Sequence, residues 1–297
     1  MKGIILVTGA TGNLGKATIN ALLNKGVHAN NIIALVRDET KAATLKEKGI
    51  TLKVGDYDNY PSLVEAFKGV EKLVLVSARD LVNRTVQHNN VVKAAKEAGV
   101  SHLLYTSFFD GNAIKNSPFD FVSSTVKQTN QVIKESGIPY TIFQDNLYME
   151  LLPMLFGEKV IEAGIYLPAG EGKASYVSRI DIADALANVL LQDGHVNKEY
   201  NISNAENVSM PDIASLLSSL AGKEISYVSP SPAEYMTTME KFGVPAQFIK
   251  IFAGISEAIK IGEFQSAATD LESLLGRKPL TVKDFIKQTY FQQPSNN

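Results

Sequence analysis

Three glycines are the residues of this chain best placed to do chemistry. Gly9, Gly12 and Gly15 stand in Gly9-Ala10-Thr11-Gly12-Asn13-Leu14-Gly15, after the apolar run Ile4-Ile5-Leu6-Val7-Thr8 and before a helical stretch, Lys16 to Asn24, that Gly26 closes. Strand, glycine turn and helix in that order form a dinucleotide-binding turn. The first glycine makes the bend, the second lets main chain approach a pyrophosphate, and the third lets the helix pack close to the strand. The N–H groups that open the helix then favour an anion.

A second position selects the coenzyme. An acidic residue at the tip of the second strand accepts the ribose hydroxyls of NAD and repels a 2′-phosphate. Here that strand ends Leu35-Val36-Arg37, and a guanidinium clamps a phosphate through paired N–H donors. NADPH is therefore expected. Lys41 offers a second positive charge, while Asp38 and Glu39 are placed to neutralise Arg37. Asp56, in Val54-Gly55-Asp56-Tyr57 after the third strand, suits either an adenine contact or the start of a turn.

The usual proton donor for carbonyl reduction is missing. It would be a Tyr with a Lys four residues later on one helix face, and none of the eleven Tyr has Lys at that position. Ser107, just after Leu103-Leu104-Tyr105-Thr106, and Lys127, on a helix expected from about Phe119 to Ser136, are the catalytic candidates that remain. A nicotinamide site without a strong acid suits hydride delivery to an acceptor that needs no enzymatic proton, such as a quinone or a cationic conjugated dye. Phe108, Phe109, Phe121, Leu147, Tyr148 and Met149 supply apolar surface to stack such a substrate, or else belong to the core.

These groups need a sheet to hold them. Apolar strands recur at Ile32 to Val36, Leu73 to Ser77, Leu103 to Thr106 and Tyr140 to Phe143, with room for a crossover helix between them. This predicts an α/β fold with a doubly wound parallel sheet. One such helix presents Val91, Val92, Ala94, Ala95 and Ala98 and ends at Gly99. From Asp181 the character changes. Ile182 to Leu191 reads as helix and Tyr200 to Ile202 as extended chain, and capping boxes begin at Ser209, Ser231 and Thr281. The expected division is a coenzyme-binding domain over 1–150, with returning segments around 175–205, and a smaller, mainly helical substrate lobe over 151–297. The tail from Gln292 is expected to fray.

Composition excludes several function classes. A net charge of −2 over 297 residues, with no dense Lys/Arg run, argues against nucleic acid as a partner. With no Cys there is no thiol catalysis, disulfide or thiolate metal site, and the four His are too scattered for a metal cluster. No apolar run reaches the roughly eighteen residues of a membrane span, and the apolar start is too short for a signal peptide. A cytoplasmic protein is expected, with a small aromatic or quinone substrate and a second copy of the chain, in a homodimer, as candidate partners.

Taken together, these motifs resemble the NmrA-like branch of the atypical short-chain dehydrogenases, in particular its quinone oxidoreductase type 2 and triphenylmethane reductase members. The residues carrying the resemblance are Val7 to Gly15, Leu35-Val36-Arg37, Gly55-Asp56-Tyr57, Gln87-His88 with Asn90-Val91-Val92, Ala94-Ala95-Lys96, Ala98-Gly99-Val100, Tyr105-Thr106-Ser107, Gly137 to Thr141, and Gly194-His195 with Lys198 and Tyr200. The resemblance implies a Rossmann fold with a cleft between lobes. It implies NADPH held by Gly9, Thr11, Gly12, Asn13, Leu14 and Arg37, with Ser77 and Ala78 near the nicotinamide ribose. Asp56, Tyr57, Gly15 and Ser107 complete the expected coenzyme site, and Phe108, Phe121, Tyr148 and Met149 the substrate pocket.

Two stretches depart from the family. Gln144-Asp145-Asn146 stands where relatives commonly have Arg-Asn, and Phe108 to Pro118 does not resemble the quinone enzymes closely. Asn146 matches the family's asparagine and is expected to orient nicotinamide or substrate. Asp145 would favour a cationic substrate if it faces the cleft. The leading expectation is an NADPH-dependent quinone reductase, with a non-catalytic NADP(H)-binding redox sensor as its alternative. A sugar-nucleotide epimerase would share the layout but lacks its acid.

Overall fold

The computed structural model describes residues 3–109 and 117–292. The expected frayed tail beyond residue 292, and residues 110–116 of the divergent stretch, lie outside the described residues.

Seven parallel strands form the central sheet: β1 (Ile5–Val7), β2 (Ile32–Val36), β3 (Thr51–Val54), β4 (Lys72–Val76), β5 (His102–Phe108), β6 (Tyr140–Asp145) and β9 (Lys198–Ile202). Their order is β3-β2-β1-β4-β5-β6-β9, so the chain reverses direction across the sheet between β1 and β4. Ligands of doubly wound sheets bind outside the carboxyl ends of the strands at such a reversal. β1, β2 and the middle of β4 are buried on both faces, which is why they read as continuous Val/Ile/Leu runs rather than alternating ones.

The sheet is covered on one face by α1 (Asn13–Asn24) and α8 (Arg179–Leu191), through a core that includes Ile5, Val7, Leu22, Val74, Leu104, Phe143 and Ile182. The other face carries α3 (Tyr60–Phe67), α4 (Arg84–Glu97) and α5 (Asp120–Glu135), over Leu6, Leu63, Phe67, Leu73, Tyr105 and Ile142. The single turn α2 (Ala43–Glu47) leads into the edge strand β3.

A third core gathers the rest of the chain. It holds α6 (Leu152–Phe156), α7 (Val160–Ala163), α9 (Met210–Ala221), α10 (Pro232–Lys241), α11 (Ala246–Lys260) and α13 (Val282–Tyr290), while α12 (Leu271–Leu275) packs back on α8. Two small sheets, β7 (Ile165–Tyr166) with β11 (Tyr227–Val228) and β8 (Lys173–Ala174) with β10 (Val208–Ser209), tie these helices together. No helix among the described residues is long and apolar enough to cross a membrane.

Local details differ from expectation for identifiable reasons. α1 begins at Asn13 rather than Lys16, because Gly12 is its N-cap and Asn13 to Gly15 form its first turn. α8 begins at Arg179 rather than Ile182, since the Ser178 side chain caps it by accepting from the Ile180 N–H at 3.1 Å. The boxes at Ser209 and Ser231 close in both directions. At Thr281 the backbone N–H of Asp284 donates to Thr281 Oγ1 at 3.0 Å, but the Asp284 carboxylate takes the Thr281 hydroxyl at 2.7 Å instead of its N–H.

Candidate active site

The glycine turn brings α1 against β1 as closely as a backbone allows. Gly9 adopts φ +57°, and the Gly12 N–H donates to the Gly9 carbonyl at 2.8 Å. A Cβ on Gly15 would stand 2.3 Å from that carbonyl oxygen. Because the N-cap is Gly12, no side chain caps α1, and its first turn holds no acidic residue. Among the described residues no side chain takes the first N–H groups of the helix, which carry the partial positive field of the helix start. This cradle fits the diphosphate of a dinucleotide.

Arg37 lies exposed one residue beyond β2, with no ion pair to its guanidinium among the described residues. Asp38 does not neutralise it: its carboxylate accepts from the Thr40 N–H at 2.9 Å and hydroxyl at 2.6 Å, and these bonds hold its pKa below the usual value. Asp56 starts a turn, accepting from the Asp58 N–H at 3.1 Å. Tyr57 is a brace, its hydroxyl shared between Thr8 Oγ1 and the Val76 carbonyl (3.0 Å).

α4 fastens the loops around this edge. Gln87 Nε2 donates to Asp58 Oδ2 at 2.9 Å and Asn90 Nδ2 to the Tyr57 carbonyl at 2.8 Å. His88 Nε2 accepts the Ala78 N–H at 2.9 Å, so its proton is on Nδ1, facing Thr129 Oγ1 at 3.0 Å. Burial, with the nearby Arg84 charge, pushes the His88 pKa down to about 3, and the ring stays neutral. Arg84 Nε donates to the Ala78 carbonyl at 3.0 Å. Both polar main-chain atoms of Ala78 are thus engaged, which leaves Ser77 and the Ala78 methyl to meet a ligand. The Ser77 N–H is itself held by Thr106 Oγ1 at 3.1 Å.

The other predicted residues separate. Ser107 is buried and donates to Asn130 Oδ1 at 2.9 Å. Lys127 is exposed and lines an open polar depression with Lys134, Gln144 and Glu199. Phe108 stacks on Phe119 at 6.0 Å and meets Phe264 edge-on at 5.7 Å, making an aromatic wall beyond β5. Phe121 is 54% exposed on α5.

Two expectations need correction. Asn146 is 1% exposed, and its amide is fully committed: Nδ2 donates to Ser203 Oγ and the Phe264 carbonyl, both at 3.2 Å, while Oδ1 accepts from the Leu147 N–H. It braces the end of β6, and neither of its amide hydrogens is left to orient a substrate. Met149 is wholly buried in the third core, because that core closes over the turn following β6, and so it lines no open pocket.

Asp145 does not face a cleft as a free charge. It is fully buried; Tyr148 donates to its Oδ2 at 3.1 Å, and Oδ1 has no partner among the described residues. Burial raises its pKa well above the usual value, so the carboxyl keeps its proton. The Tyr148 ring is covered by the Arg179 guanidinium at 4.4 Å, and Arg179 pairs with Glu150. The bracing roles of Arg84, Gln87, Asn90 and Asn130 were not visible in the sequence, although Gln87-His88-Asn90 marks the helix face that provides three of the bonds.

Comparison with known proteins agrees with this geometry. A family model, "NmrA-like family", matches residues 1–286. The chain is 31% identical over 288 residues to quinone oxidoreductase 2 of Escherichia coli (strain K12), covering 97% of this chain and 99% of that one. Against the NAD(P)H azoreductase of Xenophilus azovorans the identity is 31% over 286 residues, with 96% and 97% covered. The crystal structure of Citrobacter sp. triphenylmethane reductase complexed with NADP(H) superposes with a TM-score of 0.89 at 36% identity, over 96% of this chain and 99% of that one. With a family match spanning nearly its whole length, the chain belongs to the NmrA-like family.

Proposed function

We propose that this protein is an NADPH-dependent reductase that passes hydride to a quinone or a similarly flat, conjugated acceptor. It is an NAD(P)H-dependent oxidoreductase of the NmrA-like type, and the choice of acceptor is the open part. The observation that carries the coenzyme choice is Arg37 at the tip of β2, with no ion pair among the described residues, next to a helix start that no side chain caps. In this reading the N–H groups of α1 hold the diphosphate and Arg37 the 2′-phosphate, while the braced Ser77-Ala78 loop positions the nicotinamide ribose.

When bound, NADPH supplies the hydride. The chain contributes position and exclusion of water. The half-buried Phe108 and Phe119, backed by the buried Phe264, support a flat acceptor by stacking. Ser107, committed to Asn130, and Lys127, out on the surface, suit neither part of a strong acid, so the proton that follows hydride comes from solvent. Residues 1–150 with 175–205 carry the coenzyme in this reading and 151–297 close over the acceptor, with a homodimer as the assembly.

The test is a steady-state assay of NADPH oxidation with a panel of quinones and a triarylmethane dye, beside calorimetric titration of NADPH. Turnover with at least one quinone, retained in Lys127→Ala, supports the reading. Tight NADPH binding with no oxidation by any acceptor would replace it with the redox sensor.

A further inference from the structure

Arg84 is the first residue of α4 and only 8% exposed. Other arginines here have carboxylates: the half-buried Arg179 pairs with Glu150, and the exposed Arg277 with Asp181 and Asp184. Arg84 has none among the described residues. Its Nε donates to the Ala78 carbonyl at 3.0 Å and one Nη1 hydrogen reaches Thr125 Oγ1 at 3.5 Å, and the other three of its five N–H groups meet no acceptor among the described residues. Asp80 is the carboxylate whose charge it feels, but Asp80 spends its oxygens on the N–H groups of Val82 and Asn83 and on Asn83 Nδ2.

A buried cation without a counter-ion is costly, and a fold that keeps one usually meets an anion there. The place narrows the choice of anion. Arg84 grips the loop at the carboxyl end of β4 through the Ala78 carbonyl and reaches α5 at Thr125. The diphosphate cradle belongs to the β1–α1 turn instead.

We propose that Arg84 provides the positive charge that stabilises the oxyanion created when the acceptor takes up hydride. It thereby selects acceptors that become oxyanions, quinones above all, over acceptors that start as cations. The inference rests on the reductase reading. In the step, the C–H bond of the dihydronicotinamide breaks and both of its electrons leave with the hydrogen. A new bond to that hydrogen forms on the quinone, the coenzyme is oxidised, and the quinone becomes a hydroquinone monoanion. The negative charge on its oxygen meets the free N–H groups of Arg84 until solvent delivers a proton. A cationic dye would become neutral in the same step and gain nothing from Arg84.

The experiment compares wild type, Arg84→Met and Arg84→Lys. For an uncharged para-quinone, Arg84→Met is expected to lower kcat/KM by about 100-fold, the scale of losing one oxyanion donor. Arg84→Lys should fall between it and wild type. Because both variants disturb the bond to the Ala78 carbonyl, a cationic triarylmethane dye measures that shared cost, and its loss should be at least about tenfold smaller than the quinone's. Turnover is compared at saturating NADPH, with affinity read by calorimetry for each variant. A readout independent of turnover is para-nitrophenol added to the NADP-loaded protein: wild type should increase its yellow phenolate form at a fixed pH, and Arg84→Met should not.

Equal losses for quinone and dye would overturn the proposal and leave Arg84 as a support for the Ala78 loop or a coenzyme ligand. If wild type reduces neither acceptor, the reductase reading fails and the phenolate comparison alone decides whether Arg84 meets an oxyanion. Should Arg84→Met not fold, Arg84→Lys carries the same comparisons, with a smaller quinone-specific loss expected and an equal loss for both acceptors overturning it.

Discussion

The carbonyl oxygen of Gly9 lies 2.3 Å from where a Cβ on Gly15 would stand. That distance is far inside van der Waals contact, and the atoms nearest to the new methyl would be main chain, which cannot rotate aside. Gly15→Ala should therefore push the start of α1 away from β1. The expected cost is about 1–3 kcal/mol in urea unfolding, the usual range for overpacking. NADPH affinity should fall as well, because the displaced N–H groups are those that face the diphosphate.

Arg37→Ala is expected to weaken NADPH by roughly tenfold or more, as for loss of a charge-assisted hydrogen bond, and to leave NADH nearly unchanged. Calorimetric titration of both coenzymes checks this. Equal losses would remove Arg37 from the 2′-phosphate.

Asp145 gives a prediction with a definite sign. Its folded carboxyl keeps a proton that the unfolded chain gives up above about pH 4. Its contribution to stability is thus present below the unfolded pKa and lost as pH rises toward the raised folded one. Asp145→Asn, a neutral stand-in, should raise the melting temperature near pH 8 and change it little near pH 4. An equal shift at both pH values would show that the wild-type carboxyl is ionised.

The buried histidines act in the opposite direction. Burial pushes His88 down to about 3 and His102 down to about 4. Unfolding lets both rings take up protons near the ordinary value of about 6.5, so stability is full above that and falls as pH drops through 6 toward 4. His88→Gln should lower stability at pH 7, where it breaks the bond to Ala78, and should flatten the acid slope. Urea midpoints at several pH values measure both effects.

Much of the coenzyme end was legible in the sequence because it depends on local rules. Glycines at fixed spacing after an apolar strand dictate a tight turn and an uncapped helix, and Arg37 at a strand tip follows from the same short register. The alternation of apolar runs with helical segments likewise determined the doubly wound sheet. The acceptor end was harder to read. Asn146 looked like a substrate ligand because its type and position suited one, yet Ser203 and Phe264, 57 and 118 residues away in the chain, claim its amide. Asp145 suits a cationic substrate only if it faces the cleft, and the packing around β6 encloses it instead, with Tyr148 donating to its carboxyl.

What the sequence by itself determined was therefore the set of groups whose geometry is fixed by neighbours a few residues away: the phosphate turn, the strand tips and the helix caps at Ser209, Ser231 and Thr281. Only the tertiary structure decided which polar side chains are spent inside the fold and which stay free. Hydrogen bonding and desolvation depend on partners brought together from distant segments, as with Arg84, which has no carboxylate partner among the described residues because Asp80 is spent on its own loop.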